Sequence, residues 1–576
     1  MTHKIPVDQG AEAFIELLNA NDVEYIFINP GTDTPAIQEA VAKFKALDRK
    51  TPEIVLCLHE TVAMAAAHGH FMVSGKPQVV LVHTGVGTQQ VGGALHNAQV
   101  GYIGMIFCAG KTPLPYDDAK LYGRFIEVHW YQDQYDQSGI VREYVKWYHE
   151  LRSNEIIHTA VQRAFQVANT PPCGPVYLTL PPNLLMEKIK SVPILQKDKY
   201  QPPITPQGDI TALDNIASIL LKARNPLIIL GDSGRHPTGV ADMVKLAELV
   251  GARVITSPIR LNFPTNHPLC SGETNANAYL GKADAVLYID RDVPYIATQA
   301  KPGTKATIMQ IDIDPIKQNM PLWSFPIDIP VWADSAKAVP ELNNIIEAAI
   351  TPRQKTSIKE RVDEIDQENN TLREKWGNLA RAESGQTPIS PDWLCYCLNQ
   401  ILDENTVLLT ETVSNAPPLA RQIHLAHPGA TYTSGGTSLG WSLGAAIGAK
   451  LADPEKMPIV LVGDGAFMFG CPIEAIWAAE KYHAPFLTVV LNNRLYKSPL
   501  NAVRRTYGLE SYSEKTGNWM AMNINPSPDF AAVAEACGAY GQTVTDPKEV
   551  LSALKKAAEV VRSGRSALVD VHVAGI

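Results

Sequence analysis

The sequence predicts an α/β protein built from three doubly wound parallel-sheet domains. Short β-branched runs alternate with longer amphipathic stretches along the chain, the pattern of a parallel sheet covered by helices. With 576 residues the chain is long for one core and suits three domains of roughly 100 to 200 residues. Hydrophobic residues make up 45% and charged residues only 19%, below the roughly 25% of an average soluble chain, so much of the sequence must be buried and extended disorder is excluded.

The first domain, residues 1–190, offers strand candidates in YIFINP, EIVLCL, QVVLVHT, GMIFCAG and GPVYLTLP. The Pro- and Lys-bearing stretch Ser191 to Gln207 reads as a linker into the second domain, residues 191–350, whose candidates are NPLIILGD, ARVITSP, AVLYID and ATIMQIDID. The third domain, residues 351–576, opens on a charged, helix-like connector (351–388) and repeats the strand grammar with TVLLTE, MPIVLVGDG, FLTVVLNN and ALVDVHV.

Charge and cysteine content narrow the function classes. Fifty Lys+Arg against 59 Asp+Glu leave a net charge of -9, and no basic run is long enough to neutralise a row of phosphates, which excludes nucleic acid as the expected partner. No run of about 18 apolar residues exists and MTHKIPVDQG lacks the apolar core of a signal peptide, so a cytoplasmic protein without a membrane partner is expected. Eight cysteines without zinc-ligand spacing read as reduced, buried small hydrophobes.

Chemistry concentrates in a few stretches. Gly463-Asp464-Gly465-Ala466 and Asn492-Asn493-Arg494-Leu495 each follow an apolar run, which puts Asp464 and Asn493 at the carboxyl ends of strands, where open sheets bind ligands. A carboxylate, an amide oxygen and a backbone carbonyl are hard ligands suited to Mg²⁺ bridging two phosphate oxygens. The glycines let a diphosphate approach the backbone, and a helix expected to start near Met468 points its positive end there.

Gly463-Asp464-Gly465, twenty-six residues, then Asn492-Asn493 resembles the cofactor motif of thiamine diphosphate (ThDP) enzymes. The resemblance implies that Asp464, Asn493 and the carbonyl of Leu495 hold the metal, with Gly465, Ala466 and Tyr496 beside the cofactor. It also implies a glutamate at the aminopyrimidine, and Leu58-His59-Glu60-Thr61 resembles the family's His-Glu stretch, with Glu60 opening a helix. A zinc-protease reading of His59-Glu60 fails because residue 63 is alanine. Gly435-Gly436-Thr437-Ser438-Leu439-Gly440 resembles the loop whose apolar residue, here Leu439, supports the bent cofactor, with Thr437 adjacent. Thr412-Val413-Ser414 matches the diphosphate-contact position.

Within the family, Asn29 to Gly110 looks most like benzoylformate decarboxylases. Asn29-Pro30-Gly31-Thr32 resembles the loop carrying a substrate-binding serine, replaced here by Thr32 and preceded by Gly31. His83-Thr84-Gly85-Val86-Gly87 resembles the loop carrying an active-site histidine, which makes His83 the candidate proton donor and acceptor. From Gly85 a dinucleotide fingerprint would need glycine at 90, which is Gln. The second histidine of those decarboxylases has no counterpart, since Tyr288 to Tyr295 stands in that region. Lys146-Trp147 and Gln310 to Pro315 are similar to acetolactate synthases, but the flavin-binding Arg/Asp cluster of that group is not visible at 288–295, which argues against FAD.

The resemblance therefore implies ThDP- and Mg²⁺-dependent decarboxylation of a 2-oxo acid, ending in an aldehyde or in carboligation to an acyloin. An acetolactate synthase-like carboligase and a catalytically silent ThDP-binding subunit are the alternatives. In the family, the two domains that share a cofactor come from different subunits, so Glu60 and Asp464 are expected to meet in a homodimer or homotetramer. His129, Trp130, Gln132, Tyr496 and Trp519, on or beside the stretches Tyr116 to Asp136 and Lys497 to Asn518, are candidate pocket lining.

Overall fold

The computed structural model describes residues 3–117, 123–257, 259–272 and 276–575. Among these residues the strands form three parallel sheets and one antiparallel pair. The first sheet takes β2 (Tyr25–Asn29), β3 (Glu53–Leu56), β4 (Val79–Val82), β5 (Met105–Gly110), β6 (Trp147–Glu150) and β7 (Pro175–Leu180), in the order β3-β2-β4-β5-β7-β6. Strands β4, β5 and β7 are buried along their whole length, because helices cover both faces of a parallel sheet. Residues expected to begin a linker instead form β8 (Ser191–Ile194), paired antiparallel with β1 (His3–Pro6), so the chain leaves this domain stapled to its own start.

The central sheet takes β9 (Pro226–Leu230), β10 (Arg253–Ile255), β11 (Ala285–Ile289), β12 (Thr307–Asp312) and β13 (Ile329–Trp332), in the order β10-β9-β11-β12-β13. The third takes β14 (Thr406–Glu411), β15 (Thr431–Tyr432), β16 (Met457–Gly463), β17 (Leu487–Asn492), β18 (Tyr540–Val544) and β19 (Ala567–His572), in the order β15-β14-β16-β17-β19-β18. In each sheet the chain moves outward to one side and then returns to the other side of the starting strand. The reversal opens a crevice at the carboxyl ends of β2 and β4, of β9 and β11, and of β14 and β16.

The connector folds as one helix, Pro352–Ala382, started by a capping box between Thr351 and Gln354. Two of its buried apolar residues, Ile358 and Ile365, face the central domain, where Arg361 donates to the carbonyl of Gly251 at 2.9 Å and Arg373 to that of His267 at 2.7 Å. The helix is thus a polar strap rather than a free spacer. The outer domains share one hydrophobic cluster, in which helix Glu60–Ser74 crosses helix Ser442–Ala452. A Cβ on Gly448 would lie 1.8 Å from the carbonyl oxygen of Ala66, so only glycine permits that approach. No helix of the described residues is long and apolar enough to cross a membrane.

Candidate active site

The N-terminal crevice gathers the loops after β2, β3 and β4. His59 caps the helix Glu60–Ser74 by accepting from the amide of Thr61 at 3.1 Å, which sets Glu60 as its first residue at the sheet edge. Glu60 is only 8% exposed and its Oε1 accepts from Asn29 Nδ2 at 2.9 Å. On the neighbouring loops His83 follows β4 and, after β2, Thr32 is exposed beside Gly31. His83 Nδ1 is hydrogen-bonded to the carboxylate of Asp33, and Nε2 stands 3.1 Å from Gln132 Oε1. The hydrogen bond to Asp33 raises the imidazole above its usual range despite burial, with Gln132 and the charge of Glu60 adding to it. Gly31 makes room for this ring, since a Cβ there would lie 2.1 Å from His83 Nδ1.

The C-terminal crevice gathers the loops after β14, β16 and β17. The helix expected near Met468 begins four residues earlier, as Asp464–Phe469 with Gly463 as cap, so Asp464 itself sits in the first turn. Asp464 is 4% exposed; Oδ1 accepts the amide of Gly465 at 2.8 Å, while Oδ2 is buried without a hydrogen-bond partner. Burial pushes this carboxyl above the usual carboxylate range, opposed by the amides of Gly465, Arg494 and Leu495. Asn493 Oδ1 accepts the amide of Leu495 at 2.9 Å, and an amide oxygen has a second lone pair to offer. An orphaned carboxylate oxygen beside an amide oxygen and a backbone turn fits a hard divalent cation that takes further oxygens from a phosphate.

Leu439 is half-buried against the shared core. Its loop is tied on two sides: Asn97 donates to the carbonyl of Ser438 at 2.9 Å and accepts its amide at 3.0 Å, and Glu411 Oε2 accepts from the amide of Ser442 at 3.1 Å. His96 Nε2 lies 3.2 Å from Thr437 Oγ1. Burial pushes the Glu411 carboxyl up, while Ser442 and the amides of Gly440 and Trp441 oppose that shift. Tyr496 packs over Gly465, and Ala466 is buried behind it.

Several loop residues adopt left-handed backbone: Leu58 (φ 59°), Thr84 (φ 40°), Val413 (φ 43°) and Arg494 (φ 57°). The conformation disfavours β-branched Thr84 and Val413 most, and such strain concentrates at functional loops. Val413 is 56% exposed and Ser414 half-buried beside it.

Of the candidate lining residues, Gln132 meets His83, His129 packs edge-on against Phe125, Trp130 is 43% exposed and Trp519 lies beneath Arg504. Part of the stretch Tyr116 to Asp136, residues 118–122, lies outside the described residues. Sequence reasoning missed Asp33, and it quoted Glu411 without a role. Asp33 shows in sequence only as a turn residue in Thr-Asp-Thr-Pro, and nothing local marks its contact fifty residues away.

Thiamine pyrophosphate enzyme models match the chain in all three parts: the N-terminal TPP binding domain at residues 8–140, the central domain at 213–342 and the C-terminal TPP binding domain at 413–571. The chain belongs to the thiamine pyrophosphate enzyme family. It is accordingly a ThDP-dependent enzyme. A probable acetolactate synthase large subunit of Methanococcus aeolicus is 26% identical over 95% of this chain and 90% of that protein. A benzoylformate decarboxylase of Pseudomonas aeruginosa is 25% identical over 97% of this chain and 98% of that one. The crystal structure of benzoylformate decarboxylase from Polynucleobacter necessarius superposes with a TM-score of 0.80 at 22% identity, covering 99% of both chains, which shows a shared fold.

Proposed function

We propose that this enzyme is a Mg²⁺- and ThDP-dependent decarboxylase that converts a 2-oxo acid to an aldehyde and CO₂. The observation that carries the reading is the chain Asp33–His83–Gln132 beside Glu60, a proton donor next to the acid expected at the cofactor's pyrimidine ring. The benzoylformate decarboxylase of Pseudomonas aeruginosa, similar over nearly the whole chain, supports the same class of substrate.

When bound, ThDP supplies the electron sink that lets a 2-oxo acid lose CO₂. Asp464, Asn493 and the carbonyl of Leu495 would hold Mg²⁺, with Gly465, Ala466, Val413, Ser414, Thr437 and Tyr496 around the cofactor and Leu439 under its bend. Glu60 would hold a proton at the aminopyrimidine. Thr32, beside Gly31, would bind an oxygen of the substrate, and His83 would deliver the proton to the carbon that lost CO₂. The two acids at 288–295 are engaged within the protein, Asp290 with Arg235 and Asp292 with Lys317, and no flavin enters this reading.

Exposed apolar residues adjoin both acids: Leu58 and Val86 near Glu60, and Met468, Phe469 and Ile473 near Asp464. Such surface beside a site is the mark of an interface, which supports a homodimer sharing each cofactor between Glu60 of one subunit and Asp464 of the other. Mixing inactive E60Q and D464N subunits tests this: shared sites restore activity in the hybrid, and sites within one chain leave it dead.

The main test is CO₂ release from a panel of 2-oxo acids by the enzyme loaded with ThDP and Mg²⁺, with the product identified. Aldehyde is expected, and Glu60→Gln should slow proton exchange at the cofactor's reactive carbon by orders of magnitude. No CO₂ from any panel member would overturn the reading in favour of a silent subunit. Acetolactate from pyruvate would favour the carboligase reading, which the Methanococcus aeolicus relative supports.

A further inference from the structure

Two fates await the carbon that has lost CO₂: capture by a proton gives an aldehyde, and capture by a second carbonyl gives an acyloin. We propose that Asp33 is a positioning residue that sets this partition, holding His83 as a two-donor imidazolium so that protonation outruns carboligation. The inference rests on the functional reading above.

The geometry leaves the ring little choice. Asp33 is 3% exposed and its two oxygens are used separately, one at His83 Nδ1 and the other accepting the amide of Thr84 at 3.1 Å. The carboxylate is thereby pinned to the turn on which His83 sits. On the other side of the ring Gln132, 7% exposed, presents Oε1 to Nε2 at 3.1 Å. A carboxylate and an amide oxygen both accept, so with Gln132 turned this way the charged ring donates from both nitrogens. A neutral ring would set a lone pair against one of these acceptors.

The groups facing His83 divide unevenly. Asp33 from the loop after β2 and Glu60 from its helix favour the charge, whereas His129, on the short helix Val128–Tyr131, is held below its usual range by burial first and then by Arg124 and His83, and so brings no opposing charge. The shift toward the protonated ring follows the Asp33 hydrogen bond first, with burial opposing it.

In the step itself, the electron pair left by the bond to the carboxylate forms a new C–H bond with the proton of His83 Nε2. The ring is then neutral and regains a proton from water. In sum a 2-oxo acid and a proton become an aldehyde and CO₂, with no change in oxidation state overall.

The test pairs two readouts. Histidine NMR of the apoprotein, with His83→Gln used to assign the resonance, should show His83 losing its proton at least about one pH unit lower in Asp33→Asn. In the loaded enzyme given a 2-oxo acid and an acceptor aldehyde, Asp33→Asn should raise the acyloin-to-aldehyde ratio roughly tenfold, the equilibrium weight of that one unit. The loss of aldehyde formation at high pH should move down with the ionisation. Gln132→Leu should shift both in the same direction by less, which keeps the idea testable if Asp33→Asn folds poorly. An unmoved ionisation, an unmoved ratio, or the same change of ratio when Asp33→Asn is made in His83→Gln would each overturn the proposal. Absence of CO₂ release by the wild-type enzyme would remove the functional reading and the partition role with it, while the apoprotein titration still reports the Asp33–His83 coupling.

Discussion

In the C-terminal domain the loops at the strand-order reversal carry buried acids with no basic side chain bonded to them, whereas the same loops of the central domain give each acid a cation. Asp464 Oδ2 and, two strands further on, Asp570 Oδ1 are buried without a partner, and Glu411 is held by amides and a hydroxyl. His572 lies 3.6 Å from Asp570, but burial and the charge of Arg494 keep that ring below its usual range and hence neutral. In the central domain Arg235 lies 2.8 Å from Asp290, Lys317 2.8 Å from Asp312, and Arg260 Nε 3.1 Å from Asp232, the last without the alignment of a hydrogen bond. The backbone closes there too, since the amides of Gly231 and Asp232 bond to the carbonyls of Ile289 and Asp290. One topology thus yields one crevice whose acids have no cationic side chain bonded to them and another whose acids each face one.

The comparison predicts opposite consequences for variants of the two crevices. Asp464→Ala should weaken Mg²⁺-dependent ThDP binding by more than the roughly 10–100-fold typical of losing an outer partner of a metal site, while raising the melting temperature of the apoprotein because a strained buried acid is gone. Titration calorimetry and thermal scans check both, and a fall in apoprotein stability would contradict the contrast. Arg235→Met should do the reverse, leaving Asp290 uncompensated at a cost of about 3–5 kcal/mol in urea unfolding, with cofactor affinity per folded chain unchanged.

A third variant probes the N-terminal crevice, where the hydrogen bond to Asp33 raises the His83 imidazole above its usual range. Gly31→Ala should displace the His83 ring and lower the rate of aldehyde formation by roughly 10²-fold, with ThDP affinity intact. Equal turnover by the variant would show that the ring need not stay where Gly31 lets it lie.

The smallest expected effect is a pH dependence. Burial raises Asp570 from 3.8 to about 7, with the hydrogen bond from Asn492 opposing and the charges of Asp464 and Asp529 adding. Between about pH 4 and 7 the folded carboxyl keeps a proton that the unfolded one has lost, so stability falls as pH rises through that window and levels off above it. Asp570→Asn should remove a slope of at most about 1.4 kcal/mol per pH unit, read from unfolding midpoints at several pH values. Parallel curves for the two proteins would mean that Asp570 is ionised in the fold.

Every interior strand of the parallel sheets was legible in the sequence, and so were the edge strands β3 and β10, but the other four edges were not. Runs such as VVLV of β4, MIFCAG of β5 and IVLVG of β16 are apolar because helices cover both sides. The strands that escaped notice, β6, β13, β15 and β18, all lie at sheet margins, as do β1 and β8 in their two-stranded pair. Their sequences mix polarity, as in WYHE and YGQTV, or carry a proline, as in IPVW, because one side faces other surroundings. The motif residues Glu60, His83, Asp464 and Asn493 were legible because each closes an apolar run. Asp33 was not, since an acid in a turn looks alike whether it faces solvent or a histidine on the next strand.

The amino-acid order alone determined the three parallel sheets and the residues that end their strands, because burial on both faces leaves a pattern readable a few residues at a time. Which buried acids acquire a counter-charge was decided only by the tertiary structure. Asp33 meets His83, and Asp290 meets Arg235, across separations of fifty residues or more, and sheet pairing alone sets such contacts.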